Sequence, residues 1–127
     1  MPDDIFELMF ATEQQTIVGR LLVDFMKENH GEIGKAQMSM FATALHEGDI
    51  VAKLPTPKFK GKKAKLSYNK RQFYDRILTP FRSMGIIDYD MYKKTYKLSE
   101  NFNKEMTRIG LMWIKEFRKP PQKLIDT

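Results

Sequence analysis

Apolar residues recur at helical spacing along most of this 127-residue chain. The segment 13–29 repeats them at i, i+1, i+4, i+5, i+8 and i+9, which places them on one broad helical face. The members of this face are Ile17, Val18, Leu21, Leu22, Phe25 and Met26. The segment 35–47 carries a narrower stripe, and Thr12 before the first segment and Gly48 after the second are typical helix-capping residues. We therefore predict helices over 13–29 and 35–47, preceded by a short helix over 3–11.

A third helix is predicted over 68–84, where a further apolar stripe follows an N-cap residue, Ser67 or Asn69. The residues of the stripe are Phe73, Ile77, Phe81 and Met84. Pro80 lies inside this segment. Because proline lacks a backbone N–H and its ring crowds the preceding turn, we expect it to kink or divide the helix near Thr79.

Two segments depart from helical spacing. Aromatic and β-branched residues over 86–90 and 95–98, separated by a polar tip, predict a β-hairpin. The segment 49–66 contains two prolines, a glycine and six lysines. We predict that 49–66 is a basic loop or a loose hairpin, inserted before the third helix.

The last helix is predicted over 101–119, with more apolar residues than one buried face can hold. An inner stripe at helical spacing is expected to pack on the core. Its members are Phe102, Met106, Ile109, Trp113 and Phe117. Leu111, Met112 and Ile114 widen the apolar surface beyond that stripe. We therefore expect these three residues to form the interface of a homodimer, because two-fold dimers are the commonest oligomers.

The chain carries a formal net charge of +6, and the positive excess lies in one segment. Between Lys53 and Arg76 there are nine basic residues and one acidic residue, Asp75, so this segment alone carries +8. A near-neutral body with one concentrated basic segment indicates a surface that binds polyanions. A solvated, lysine-rich loop explains the same charge without a ligand.

Several classes of protein are excluded. The chain has no cysteine, so it forms no disulfide and no thiolate metal site. Its apolar runs are far shorter than the roughly 20 residues of a membrane-spanning helix. The residues after Met1 are acidic where a secretory signal would be basic. We therefore expect a soluble, cytoplasmic protein, associated with the nucleoid and not with a membrane.

The order helix, helix, helix, hairpin, helix resembles the winged helix-turn-helix DNA-binding family, of the archaeal or archaeal-virus regulator type. The similarity covers about residues 13–98, and its most specific part is the step over 81–88, where a helix ends on Gly85 and a strand begins with Ile86 and Ile87. The resemblance implies a single domain over 1–127, mainly α with a small β-hairpin (α+β), with flanking N- and C-terminal helices. Two features depart from the family: about twenty residues separate the second and third helices, and Pro80 lies in the recognition helix.

The resemblance makes the third helix the element that reads double-stranded DNA, and the hairpin the wing. On the face opposite Ile77, and flanking it, lie residue types that pair with base edges in the major groove. The expected base contacts are Tyr68, Arg71, Gln72, Asp75, Arg76, Thr79 and Arg82. Lysines suit phosphates better, because their charge is a point without a planar fork. The expected phosphate contacts are Lys58, Lys60, Lys62, Lys63, Lys65, Lys70, Tyr92, Lys93 and Lys94.

The sequence supports other functions less well. No spacing typical of a catalytic triad or of a metal site occurs, and His30 and His46 lie near helix ends, where they suit capping. We therefore expect no enzyme activity, no metal and no cofactor. Two alternatives to a transcriptional regulator stay open: a winged-helix module for protein contacts in a transcription or replication assembly, and an RNA-binding protein. In the RNA-binding protein, Phe59, Tyr68 and Tyr74 would stack on bases.

Overall fold

The computed structural model describes residues 3–53 and 63–124 and has an α+β fold, as predicted. Its helices are α1 (Ile5–Met9), α2 (Glu13–Glu28), α3 (Lys35–Glu47), α4 (Lys70–Phe73), α5 (Thr79–Ser83) and α6 (Phe102–Arg118). Its strands are β1 (Glu32–Gly34), β2 (Ile50–Lys53), β3 (Lys63–Leu66), β4 (Ile87–Asp90) and β5 (Thr95–Leu98). A π-helical turn, Tyr74–Leu78, joins α4 to α5, and we call the continuous helix over 70–83 the composite helix.

The ends of the predicted helices follow from their capping residues. The Thr12 hydroxyl accepts a hydrogen bond from the backbone N–H of Gln15 at 3.1 Å, and the Asn69 side chain accepts one from Gln72 at 3.1 Å. These bonds satisfy N–H groups that have no partner inside the first turn. At the other end of α3, Gly48 has φ of +74°, the left-handed conformation that terminates many helices.

The hairpin over β4 and β5 is confirmed, and a third strand joins it. The sheet is antiparallel with the order β1-β5-β4, and Ile33 of β1 lies opposite Tyr96 of β5. The sequence did not predict β1, because three residues are too few to show an alternating pattern. The strand forms because β5 offers its free edge beside the end of α2.

Of the two alternatives predicted for the segment 49–66, a basic loop or a loose hairpin, the described residues agree with the hairpin. Strands β2 and β3 pair antiparallel, from Ile50 opposite Leu66 to Lys53 opposite Lys63. Leu66 is buried and Ile50 packs against the core, so the base of this hairpin is anchored by apolar contacts. The lysines obscure the alternation in the sequence. The residues 54–62 between the two strands lie outside the described residues.

The composite helix changes its geometry just before Pro80. A π turn is wider than an α turn, and this relieves the contact between the proline ring and the carbonyl four residues earlier. The turn has a second consequence. Phe81 follows Phe73 by eight positions. In a regular α-helix the two side chains would point about 80° apart around the helix axis. The π turn reduces this rotation, and Phe73, Ile77 and Phe81 are all fully buried.

The last helix differs most from expectation. The inner stripe predicted to pack on the core does not: Ile109, Trp113 and Phe117 are 47%, 64% and 76% exposed. Phe102 and Met106, in the first turns of α6, are half-buried, and no residue of the helix is buried. Helical spacing in the sequence established that these residues share a face, but not what that face meets.

The rings of Phe6 and Phe10 fasten the N-terminal segment to the core. Both meet the Phe81 ring edge-on, with centroids 6.2 and 5.3 Å apart. The Phe10 ring also lies on α2 at Gly19, where an added Cβ would sit 2.4 Å from the ring carbon Cε2. Gly19 is therefore required by the packing of Phe10 and not by backbone conformation.

We predict that Gly19→Ala destabilises the protein by about 1–3 kcal/mol, because the buried Phe10 ring must move. Alanine in an open helical position would instead stabilise by up to about 1 kcal/mol. Thermal or denaturant unfolding of Gly19→Ala, Phe10→Leu and the double variant measures this. The double variant should lose less stability than the two single changes together. A Gly19→Ala protein more stable than the wild type would show that the ring does not occupy this position.

Candidate nucleic-acid interface

The outer face of the composite helix is exposed along its whole length. Because Phe73, Ile77, Leu78 and Phe81 turn inward, the opposite side of the helix faces solvent. Six of the seven expected base contacts have exposed side chains here: Arg71, Gln72, Asp75, Arg76, Thr79 and Arg82. Asp75 is the one carboxylate among them, so the face has an excess of positive charge and mixed hydrogen-bonding groups.

Tyr68 is the seventh expected base contact, and for this residue the expectation is wrong. Its side chain is only 5% exposed and belongs to the hydrophobic core. Its backbone N–H donates to the Leu45 carbonyl at 2.9 Å, so the residue is held against the end of α3, before the composite helix begins. Its hydroxyl has no hydrogen-bond partner among the described residues.

Two contacts modify the chemistry of the exposed face. The Arg71 Nε and Asp75 Oδ2 atoms are 3.8 Å apart, but both side chains are largely in solvent, so this pair is weak and readily exchanged for another partner. The Thr79 hydroxyl donates to the Tyr74 carbonyl at 2.8 Å, inside the π turn. Thr79 therefore presents its methyl group, which suits contact with the methyl of thymine.

The composite helix is linked directly to the β4–β5 hairpin. The Arg82 guanidinium lies over the Tyr89 ring, 5.3 Å from its centroid. The backbone N–H of Ile86 donates to the Phe81 carbonyl at 2.9 Å, which closes the step from helix to strand. These contacts fix the exposed helix face relative to the hairpin.

The turn of the hairpin over 91–94 is ordered by one carboxylate. Oδ1 of Asp90 accepts hydrogen bonds from the backbone N–H groups of Tyr92 and Lys93 at 2.9 and 3.0 Å. The bonds from Lys93 and Tyr92 hold the pKa of the Asp90 carboxyl below its ordinary value. Tyr92 is 97% exposed, and Lys93 and Lys94 are exposed too. The turn thus presents all three expected phosphate contacts of the hairpin to solvent.

Lys70 is more strongly engaged within the protein than the sequence predicted. Its ammonium donates to the hydroxyls of Thr43 and Ser39, at 2.9 and 3.4 Å, and its backbone N–H donates to Nδ1 of His46 at 3.0 Å. These bonds dock the start of the composite helix on α3. His46 therefore acts as an acceptor for another element and not as a cap for its own helix. No pattern in the sequence indicates this link, because the two residues are 24 positions apart.

The lysine-rich segment 49–66 lies shortly before the composite helix in the chain. Lys63 and Lys65 lie on β3, while Lys58, Lys60 and Lys62 lie outside the described residues. The chain after β3 is held in place, because the Gln14 side chain donates to the Ser67 carbonyl at 2.9 Å. Strand β3 therefore leads, through residues 67–69, to the N-terminal end of the composite helix.

The described residues also contain an apolar groove of about 510 Å³ between α2, α3 and β2. The groove is lined by Leu21, Phe25, Met40, Phe41, Ala44 and Ile50, with Asp24, Glu28 and Gln37 around them. Among residues 3–53 and 63–124, no group of three or more potential metal ligands occurs. None of the described helices is long and apolar enough to cross a membrane.

No protein-family model matches this chain, and neither the curated proteins nor the solved structures include a match.

Proposed function

We propose that this protein is a winged-helix regulator that binds double-stranded DNA at specific sequences. The composite helix carries the proposal, because it presents Arg71, Gln72 and Arg76 on one exposed face with a hairpin fixed beside it. Arginine pairs with guanine and glutamine with adenine, each through two hydrogen bonds. These side chains are long enough to reach base edges from a helix lying in the groove.

The dimensions of the composite helix suit the major groove. Its residues over 70–83 form a rod roughly 21 Å long, and the groove is about 12 Å wide, enough to admit an α-helix. Helices that read DNA in this way contact bases mainly with their N-terminal residues. Arg71 and Gln72 occupy the first turn, so we assign them the central role in base recognition.

Phosphate contacts come from the two hairpins that flank the composite helix. The turn over 91–94 supplies Tyr92, Lys93 and Lys94 from an ordered backbone. The hairpin that contains β2 and β3 supplies lysines without a planar fork, which attract phosphates regardless of sequence. The hairpins thus fix the position of the protein on the duplex, while the helix selects the sequence.

The first prediction is that the composite helix reads the base sequence, and it is tested with Arg71→Ala, Gln72→Ala and Arg76→Ala. Each change should cost roughly 1–3 kcal/mol on the preferred duplex and far less on random duplex. The preferred site is first selected from a random duplex library, and affinities are then measured by fluorescence anisotropy at one salt concentration. Arg108→Ala is the matched control for the two arginine variants, because it removes the same charge from exposed α6. Equal weakening on both duplexes would show that the composite helix does not read sequence.

A second prediction concerns Lys58, Lys60, Lys62 and Lys63. Phosphate-bound lysines act through release of counterions, so replacing all four with Ala should weaken specific and random duplexes alike. Loss of three or four contacts should also make the log–log dependence of affinity on salt shallower by about 3 units per subunit. A variant with four lysines removed from the C-terminal region provides the charge control: Lys104, Lys115, Lys119 and Lys123. An unchanged slope would mean that the lysines of the hairpin are only solvated.

The same measurements distinguish the two other functions. Tighter binding to single-stranded RNA than to duplex DNA would assign the basic surface to RNA. Absence of binding to any nucleic acid would favour a module for protein contacts, and the exposed helix face would then be its interface.

A further inference from the structure

We propose that α6 is an association surface whose partner is α6 of a second copy of this chain, in an antiparallel two-fold pair that crosses at Gly110. Most of the stability of a helix in a protein comes from packing of its apolar face, so α6 needs a partner. The rest of the described chain, residues 3–53 and 63–124, does not supply one, since none of the 17 residues of α6 is buried.

The apolar residues of α6 form one continuous seam. At about 100° per residue, Phe102, Met106, Ile109, Trp113 and Phe117 fall within one third of the helix circumference. Their spacing of four, three, four and four residues is close to the pattern by which two helices pair. The basic residues lie on the other side of the helix: Lys104, Arg108, Lys115 and Arg118. The seam can therefore be buried while the charges stay in water.

The exposed surface is large enough for a dimer. Together with Met112 and Ile114 at its edges, the exposed part of the seam amounts to on the order of 700 Å², above the largest apolar patch of an ordinary monomer. It approaches the roughly 800 Å² that each partner contributes to a stable interface. Leu111 is also exposed, but it lies on the opposite side of the helix from Trp113 and falls outside this patch.

Gly110 supplies an independent observation. A glycine in the middle of a helix costs up to about 1 kcal/mol relative to alanine. None of the described residues requires it, because an added Cβ would meet no atom of theirs within 4 Å. Gly110 lies beside the seam, next to the midpoint of its span from Phe102 to Phe117. In a two-fold pair, this midpoint lies against the same point of the other helix. A residue without a side chain lets the two backbones approach each other there.

The antiparallel direction follows from where α6 joins the body. Its N-terminal end is attached to the sheet, so a parallel pair would crowd two bodies at one end. An antiparallel pair places them at opposite ends of helices roughly 25 Å long and opposes the two helix dipoles. In this arrangement Met106 of one helix meets Trp113 of the other. The interface centres on the seam and not on Leu111, which the sequence had suggested together with Met112 and Ile114.

The first test is sedimentation equilibrium in the absence of nucleic acid, so its outcome is independent of the proposed DNA binding. The wild type should form a dimer with a dissociation constant on the order of micromolar. Ile109→Glu should give a folded monomer, whereas Leu111→Glu, its matched control on the opposite side, should leave the dimer intact. A wild type that stays monomeric at tens of micromolar would overturn the proposal, as would a dimer lost in Leu111→Glu but kept in Ile109→Glu.

The Gly110→Ala variant distinguishes pairing of two α6 helices from binding of another partner to the seam. The substitution strengthens the helix itself but places methyl groups at the crossing point, so association should weaken at least tenfold. Thr107→Ala is the control, because it also favours helix but lies away from the seam. If Gly110→Ala leaves the dimer unchanged or tightens it, or if anionic phospholipid vesicles bind the wild type while no dimer forms, α6 does not pair in this way.

The direction of pairing is tested by crosslinking, which the absence of native cysteine makes unambiguous. Met106→Cys and Trp113→Cys proteins are prepared separately, mixed and oxidised. The antiparallel pair should form the mixed disulfide in preference to either homodimer. Preferential disulfides between identical variants would establish a parallel pair and overturn the antiparallel proposal.

Discussion

The packing of the Phe81 ring is the interaction on which the rest of the described structure depends. The ring is fully buried, meets Phe6 and Phe10 edge-on, and its residue accepts the backbone hydrogen bond that starts the turn into β4. It therefore joins the N-terminal segment, the composite helix and the sheet at one point. Phe81 can occupy this position together with Phe73 because the π turn reduces the rotation between them.

The exposed face of the composite helix is a consequence of that constraint. A helix whose inner line is fixed by three buried side chains has no freedom to rotate, so the arginines and the glutamine on the opposite side are held in a defined direction. Lys70 adds to this by docking the start of the helix on α3 through Ser39 and Thr43. At the other end, Arg82 contacts Tyr89 of the hairpin. A helix whose backbone is fixed before binding suits the proposed recognition of a duplex, because less entropy is then lost on binding.

The body of the protein and α6 differ in whether their apolar residues are buried. In the body, α2, α3, the composite helix and the sheet bury one another's faces, and the core residues have almost no exposed surface. In α6 an equally regular apolar face remains in water. Gly110 adds to the contrast with Gly19: a Cβ at Gly19 collides with Phe10, whereas at Gly110 it meets none of the residues that the structure describes. The glycine in the body is explained by its neighbours, whereas none of the described residues explains the glycine in α6, which we attribute to the proposed dimer.

The sequence by itself determined the elements whose signals are local. Helical spacing located α2, α3, the composite helix and α6, capping residues located their ends, and Pro80 marked the place where the composite helix changes its geometry. The inward direction of Phe73 and Phe81 placed six of the seven expected base contacts on an exposed face. Tyr68 was misplaced because it precedes the N-cap residue Asn69, so helical periodicity does not apply to it.

Only the tertiary structure decided what depends on partners distant in the chain. Strand β1 exists because β5 lies beside it, β2 pairs with β3 through a base anchored in the core, and Lys70 finds Thr43 only after α3 and the composite helix have packed. The same limit explains α6: spacing shows that five apolar residues share a face, whereas their exposure depends on whether another element covers them. Periodicity records the direction of a side chain from its own backbone, and tertiary packing determines what it meets.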